Sequence, residues 1–152
     1  MREFHLERHV VVKRSLAKVF EFFSNPANLQ QLTPPWIQFN IVGSSTDDVQ
    51  VGTLIDYKLK VRGVPLRWRS VISEWDPPRS FVDEQVRGPY RMWHHTHTFE
   101  ETSDGVRVGD IVRYAVPGGP LFEGLVERIA VGPDVRKIFD YRIERLAEIF
   151  GD

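Results

Sequence analysis

A regular alternation of apolar and charged residues runs through the segment TLIDYKLKVRG, residues 53–63. The apolar positions are Ile55, Tyr57, Leu59 and Val61. The positions between them are Asp56, Lys58, Lys60 and Arg62. A period of two residues is typical of a strand in an antiparallel sheet with one buried and one solvated face. The segment therefore predicts a sheet whose apolar face must be covered by another element.

The cover is predicted near the end of the sequence, where DVRKIFDYRIERLAEIF, residues 134–150, has helical periodicity. One stripe of this helix contains Val135, Ile138, Phe139, Leu146, Ile149 and Phe150. A long amphipathic helix that follows a curved antiparallel sheet buries its stripe on the concave face of the sheet. The preceding segment PLFEGLVERIAV, residues 120–131, predicts a weaker helix, which Gly132–Pro133 separates from the long one.

The remaining elements follow from the same rules. Residues 3–13 are rich in β-formers, and residues 15–23 carry the apolar spacing of a helix with Ser15 as its N-cap. Asn25–Pro26 begins a second short helix that Pro34–Pro35 ends. Further strands are predicted within residues 66–72, 80–86, 91–100 and 106–116.

A chain of 152 residues suits one hydrophobic core. We therefore expect a single α+β domain over residues 1–152. About six or seven antiparallel strands would curve around the long C-terminal helix, with two short helices after the first strand.

The composition argues against several classes of binding partner and several kinds of site. Lys and Arg number 20 against 21 Asp and Glu, which gives no sign of a nucleic-acid partner. There is no Cys, which excludes disulfides and thiolate metal sites. No apolar run has the length of a signal peptide or approaches the ~18 residues of a membrane span. We expect a cytoplasmic protein without a membrane span, and composition leaves its oligomeric state open.

Three of the five histidines lie in MWHHTHTFEE, residues 92–101. On a strand, Trp93, His95, His97 and Phe99 share one face, and the two terminal aromatics predict that this face is the inner one. His94 would then face solvent. A buried His-x-His pair is compatible with a metal site, an acid–base pair or the polar end of a ligand pocket.

The register of the neighbouring strands places carboxylates beside these histidines. If TSDG at 102–105 is a four-residue hairpin loop, His97 lies opposite Asp110, close enough for a hydrogen bond. A five-residue loop at 87–91 would place Asp83 opposite His95. It would also bring Gln85 opposite Trp93. A two-residue slip would instead bring Phe81 opposite His95.

A further polar residue comes from the C-terminal helix. At 100° per residue, Arg142 falls in the middle of the apolar stripe. An unpaired buried charge costs several kcal/mol, so Arg142 needs a carboxylate partner. Asp110 and Asp83 are the inward carboxylates that the register makes available.

Several local patterns resemble one superfamily. They are W-x-H-x-H-x-F at 93–99, D-x-V-x-Y-x-x-P at 110–117 and F-x-Y-R at 139–142. Together with PLRWRSVISEWDPPRSFVDEQVRGPYRMWHHTHTFEE, they resemble a bacterial branch of the helix-grip, or SRPBCC, superfamily. This superfamily includes START-like, birch-pollen-allergen-like and polyketide cyclase/dehydrase domains. The resemblance covers nearly the whole chain and implies a helix-grip fold with a cavity between the long helix and the sheet. Members include carriers of lipids and hormones as well as aromatase/cyclases, so the resemblance implies no fixed catalytic set.

The predicted function is binding of a small, largely hydrophobic or aromatic molecule with a polar end, in a cavity of about 300–1,000 Å³. The predicted ligand-binding residues are Tyr57, Leu59, Trp68, Ile72, Asp83, Gln85, Trp93, His95, His97, Asp110, Tyr114 and Arg142. The alternative is a cofactor-independent enzyme of the cyclase or dehydratase type. It would use His97 and Asp110, with His95, for proton transfer.

Neither a cofactor nor a metal is predicted. His95, His97 and a carboxylate have the residue types of a metal site, but Arg142 at the same cluster would repel a cation. In the layout that the resemblance implies, the loops at 34–36 and 116–122 flank the mouth of the cavity, so they are either candidates for a gate or ordinary turns.

Overall fold

The computed structural model of the protein describes residues 1–151. Its strands and helices, in chain order, are β1 (Phe4–Val12), α1 (Leu16–Phe23), α2 (Leu29–Leu32), β2 (Asn40–Ser44), β3 (Leu54–Val61), β4 (Val64–Asp76), β5 (Ser80–Arg87), β6 (Met92–Thr102), β7 (Gly105–Ala115), α3 (Gly119–Val126) and α4 (Gly132–Phe150). This order confirms the predicted succession of a strand, two short helices, a run of strands and a long C-terminal helix.

The strands form one seven-stranded antiparallel sheet in the order β1-β7-β6-β5-β4-β3-β2. The protein therefore has the α+β helix-grip fold that the sequence predicts. Strand β2 is the one strand that the sequence pattern does not indicate. It is a short edge strand with no fully buried residue, so it lacks a clear apolar alternation.

The C-terminal helix is longer than predicted. Helix α3 continues through a π-helical turn at Glu127–Val131 directly into α4, so the predicted break at Gly132–Pro133 is wrong. Pro133 has no N–H to donate to the carbonyl of Ile129, and the wider π turn accommodates this interruption without ending the helix. The carbonyl of Ala130 accepts a hydrogen bond from Arg62 Nη2 at 3.3 Å, which ties this turn to the β3–β4 hairpin.

Helices α1 and α4 bury the faces that the sequence pattern predicts. Helix α1 begins after Ser15, whose side chain accepts a hydrogen bond from the N–H of Lys18, as predicted. Its Phe20 and Phe23 contact Phe99 of β6, with ring centroids 5.3 and 5.0 Å apart. Helix α4 buries the stripe predicted for it, and the fully buried members with a side chain are Val135, Phe139, Arg142, Leu146 and Phe150.

The register around the histidines is largely as predicted. Asp110 pairs with His97, and Asp83 pairs with His95. The alternative that brings Phe81 opposite His95 is wrong, because Phe81 pairs with His97. The β6–β7 ladder continues to Thr102–Gly105, so the hairpin loop is shorter than the four residues expected.

None of the helices in residues 1–151 combines the length and the apolar character needed to cross a membrane.

Candidate ligand-binding site

A cavity of about 170 Å³ lies between the concave face of the sheet, helix α4 and residues 29–39. Its wall is mostly apolar, and it is partly open to solvent. The lining residues are Leu29, Leu32, Thr33, Ile37, Phe39, Tyr57, Leu59, Val61, Trp68, Ser70, Asp83, Tyr90, Trp93, His95, His97, Ile138, Phe139 and Arg142. The cavity thus occupies the space between sheet and helix that the resemblance implies.

A buried polar cluster forms one part of the wall. His95 Nε2 lies 2.8 Å from Asp110 Oδ1, and His97 Nε2 lies 2.5 Å from Asp83 Oδ2. Arg142 donates from Nε to Asp110 Oδ2 at 2.9 Å and from Nη2 to His97 Nδ1 at 3.3 Å. The five side chains form a continuous network, as a buried group of this polarity requires. Arg142 therefore has the carboxylate partner that its place in the helix stripe predicts.

The side-chain hydrogen bonds of His95 and His97 do not join residues that are paired directly across the strands. His97 and Asp110 are opposite one another, yet their closest ring nitrogen and carboxylate oxygen are 3.7 Å apart, beyond hydrogen-bond range. The predicted bond between these two residues is therefore wrong. The two imidazoles stack with ring centroids 3.7 Å apart. Each histidine bonds the carboxylate that lies opposite the other histidine in the sheet, so His95 bonds Asp110 and His97 bonds Asp83. Arg142 takes the second oxygen of Asp110, which completes the hydrogen bonding of that carboxylate.

The hydrogen bonds of His97 assign its protonation state. Nδ1 accepts from the Arg142 guanidinium, so the ring proton lies on Nε2 and is donated to Asp83. Burial lowers the pKa of His97 to about 4, and the Arg142 charge acts in the same direction against the opposing hydrogen bond and charge of Asp83. His97 is therefore neutral at pH 7.

The carboxylates are held in their ionised form. Burial by itself would raise the pKa of Asp110, but the Arg142 charge and the hydrogen bond from His95 lower it well below its usual range. Burial opposes ionisation of Asp83 in the same way. The hydrogen bond from His97 and the surrounding positive potential lower the pKa of Asp83 overall.

Aromatic rings form much of the remaining wall. Trp68 lies 5.4 Å from Trp93 and 5.5 Å from Tyr90, both edge to face, and Tyr90 lies 4.8 Å from Trp93. Phe39 and Tyr57 contact each other at 4.7 Å on the other side. These aromatic pairs have favourable geometries, so the large rings pack against one another around this part of the cavity.

The structure places most of the predicted site residues on the cavity wall. Those that line it are Tyr57, Leu59, Trp68, Asp83, Trp93, His95, His97 and Arg142. Those that do not line it are Ile72, Gln85, Asp110 and Tyr114.

Each of these four residues has another place. Ile72 belongs to the hydrophobic core, and Asp110 lies behind His95 as its hydrogen-bond partner. Gln85 holds the β5–β6 turn by bonds to the backbone of Tyr90, and Tyr114 donates to Glu127 Oε1 at 2.8 Å. These four side chains do not border this cavity, and their part in ligand binding stays a prediction.

Other wall residues were not among the predicted site residues. They are Leu29, Leu32, Thr33, Ile37, Phe39, Val61, Ser70, Tyr90, Ile138 and Phe139. Ile138 and Phe139 carry a usable signal, because they lie in the helix stripe within one turn of Arg142. Residues 29–39 carry none, since a four-residue helix between 3₁₀ turns is too short to show a periodic face.

One of the two loops that the sequence suggests as gates adjoins the cavity, because Thr33 and Ile37 on either side of residues 34–36 line its wall. Residues 29–39 supply part of the wall, whereas no residue of 116–122 does. Trp36 is half exposed and packs edge to face on Tyr141 of α4 at 5.8 Å, with Lys137 Nζ 5.4 Å from its ring centroid. The aromatic contact fixes the loop to the helix at this point.

Asp83, His95 and His97 bring candidate metal-ligand atoms within 4.8 Å of one another. Two histidines and one carboxylate are a set that binds transition metals in other proteins. Here His97 Nε2 already donates to Asp83, and the Arg142 guanidinium contacts the other nitrogen of the same ring. A metal ion would have to displace the bond from His97 to Asp83 and bind a ring whose other nitrogen already accepts from the guanidinium, so the arrangement favours hydrogen bonding over metal binding.

The fold is shared with solved structures of low sequence identity. Ginseng major latex-like protein 151 from Panax ginseng has a TM-score of 0.71 at 13% identity, over 99% of each chain. Protein CV1439 from Chromobacterium violaceum has a TM-score of 0.71 at 16% identity, over 98% of this chain and 99% of that one. Protein Ms6760 from Mycobacterium smegmatis has a TM-score of 0.68 at 16% identity, over 95% and 89%. No curated protein sequence matches this chain.

A seven-stranded sheet that holds a long C-terminal helix over a cavity defines a helix-grip protein. The chain belongs to the family described as polyketide cyclase / dehydrase and lipid transport, whose model matches residues 3–151. This membership confirms the resemblance to the SRPBCC superfamily.

Proposed function

We propose that this protein binds a small, largely apolar molecule carrying one polar group, in the cavity between the sheet and helix α4. The observation that carries the proposal is the division of the cavity wall. Aromatic and aliphatic side chains surround most of the space, and the ordered cluster of Asp83, His95, His97 and Arg142 lies at one part of it. This combination of apolar surface with a few fixed polar groups is typical of small-molecule sites. The family description is consistent with it.

The cavity volume limits the size of the ligand. An engineered apolar cavity of about 150 Å³ in another protein holds one benzene molecule. A volume of about 170 Å³ therefore suits a single ring with a short substituent. It lies below the 300–1,000 Å³ that the sequence leads us to expect, because residues 29–39 fill part of the space under the helix. A sterol-like or polyketide-like body would require this segment to move outward.

Two polar atoms are available to such a ligand. Asp83 Oδ1 and His95 Nδ1 make no hydrogen bond within residues 1–151, and neither belongs to the fully buried atoms that lack a partner. Both residues border the cavity. A ligand hydroxyl can donate its one proton either to the carboxylate or to His95 Nδ1, which is an acceptor because Nε2 donates to the ionised Asp110.

The proposal is tested by titrating the protein with 2-phenylethanol, using calorimetry and thermal unfolding. We expect saturable binding with one site and a stabilisation of about 2.7 kcal/mol at a ligand concentration of 100 Kd. Leu59→Trp fills the cavity and should abolish binding. Leu125→Trp, on the exposed face of α3, is the matched control and should leave binding unchanged. If Leu59→Trp binds like the unmodified protein, the ligand lies elsewhere and the proposal is wrong.

A second candidate function is proton transfer in the same cavity. It is favoured by the His95–Asp110 pair, in which Asp110 holds Nε2 and leaves Nδ1 without a partner beside the cavity. A carboxylate that orients an imidazole in this way prepares the other nitrogen to act as a general base. His97 is less suited to this role than the sequence suggests, because both of its nitrogens are engaged.

The enzyme candidate is tested with phenylacetone in D₂O, by following exchange of the protons next to the carbonyl by NMR. Exchange above the buffer rate should be lost in His95→Gln and Asp110→Asn while binding of 2-phenylethanol persists. If the unmodified protein binds phenylacetone but exchange stays at the buffer rate, this candidate is wrong and the binding function remains.

A further inference from the structure

The hydrogen bonding of Asp83 is incomplete. Its side chain is 16% exposed and borders the cavity. Oδ2 accepts from His97, whereas Oδ1 has no donor among residues 1–151. Oδ1 is not among the fully buried atoms that lack a partner, so it is accessible to solvent or to a ligand in the cavity. A ligand donor can therefore bind Asp83 Oδ1.

The charged groups of the cluster are also not all paired with one another. Asp110 and Arg142 form a close ion pair at 2.9 Å, and their charges offset each other. The one hydrogen-bond donor to Asp83 is His97, which is neutral because its Nδ1 accepts from Arg142. His95 Nδ1 lies 3.7 Å from Asp83 Oδ2, outside hydrogen-bond range. The negative charge of Asp83 thus has no cation bonded to it.

The wall next to Asp83 suits a positive charge. Trp68, Trp93, Tyr57 and Tyr90 all line the cavity, and the faces of such rings attract cations through their quadrupoles. Burial and the adjacent Asp83 charge raise the pKa of Tyr57, so its hydroxyl stays neutral and able to donate or accept. The Arg142 guanidinium on the same wall is already paired with Asp110, so a ligand carboxylate would meet the charge of Asp83 in a partly dehydrated space, which is unfavourable.

We propose that the cavity selects a small apolar amine, whose ammonium group binds Asp83 Oδ1 and whose ring packs among the tryptophans and tyrosines. This inference rests on the proposed ligand-binding function and specifies the chemical class of the ligand. Asp83 is then the residue that determines specificity. Neutral alcohols of the same shape bind more weakly, and carboxylates of the same shape are rejected.

The test compares three probes of nearly equal size on the full chain: 2-phenylethylamine, 2-phenylethanol and phenylacetate, by calorimetry at pH 7. We expect the amine to bind about tenfold more tightly than the alcohol, since a charge-assisted hydrogen bond is roughly twice as strong as a neutral one. Phenylacetate should show no saturation in the range where the alcohol saturates. Equal or tighter binding of the alcohol would overturn the inference and leave the proposed function intact. If none of the three probes binds, both fail.

A variant of Asp83 tests whether this residue causes the preference for the amine over the alcohol. Asp83→Asn keeps the shape of the side chain and should remove the advantage of the amine over the alcohol. Asp56→Asn, on the outer face of β3 where Asp56 pairs with Arg69, should keep it. If Asp83→Asn folds and still prefers the amine, the assignment to Asp83 is wrong. If it does not fold, the ranking of the three probes by the unmodified protein decides the inference alone.

Discussion

Replacing Arg142 by Ala removes the positive charge from the centre of the buried cluster. Arg142 is 7% exposed, Asp110 is 2% exposed, and their ion pair has a 2.9 Å hydrogen bond. The substitution leaves the Asp110 carboxylate buried with His95 as its remaining donor, and it removes the donor to His97 Nδ1. It also removes the contact of the guanidinium with Phe23, 5.3 Å from the ring centroid. Breaking a buried pair by removing one partner costs about 3–5 kcal/mol, and we expect a loss in this range.

The assay is urea unfolding followed by far-UV circular dichroism, with the m-value checked for constancy. Arg136→Ala, at an exposed position of the same helix, is the control and should change stability by less than about 0.5 kcal/mol. The double variant Arg142→Met, Asp110→Asn should recover much of the loss, because it removes both charges together. If Arg142→Ala is no more destabilising than Arg136→Ala, the ion pair does not support the fold and the reasoning about the cluster is wrong.

Two further predictions concern protons and metals. The pKa of His97 is about 4 in the folded chain against 6.5 for a free side chain, so between these values the unfolded chain holds an extra proton. Stability should therefore fall as the pH falls through this window, by up to about 3 kcal/mol in total. His97→Gln should flatten this pH dependence of urea unfolding, whereas His94→Gln, on the outer face of the same strand, should not. The position of Arg142 predicts that the protein purifies without a stoichiometric transition metal and that EDTA leaves its Tm unchanged. About one equivalent of zinc or iron, lost in a His95→Ala, His97→Ala double variant, would refute that prediction.

The sequence predicts those parts of the site that depend on periodicity. Alternation on β6 places His95 and His97 on the inner face, and both are buried. Helical phase places Arg142 in the buried stripe of α4, where it meets Asp110. Hairpin geometry pairs Asp110 with His97, as the ladder has it. These features follow from local chain geometry and from the cost of burying an unpaired charge.

The rest depends on packing in three dimensions. Which histidine bonds which carboxylate is decided by the stacking of the two rings and the approach of Arg142 from another element, and neither has a sequence pattern. The helix continues past Pro133 because its neighbours support an interrupted turn, against the local preference of Gly and Pro. Tyr90 lies in a turn, and its place on the wall depends on the bonds that Gln85 makes to its backbone.

The most direct test of the central claim is an NMR measurement of where a ligand binds. With 2-phenylethanol at saturation, intermolecular NOEs from its ring protons should reach the methyl groups of Leu32 and Ile138, which lie on the cavity wall. Chemical shifts should also change at the ring protons of Trp93 and the imidazole protons of His95. NOEs confined to exposed side chains such as Leu121 and Phe122, with none to the cavity wall, would contradict the account.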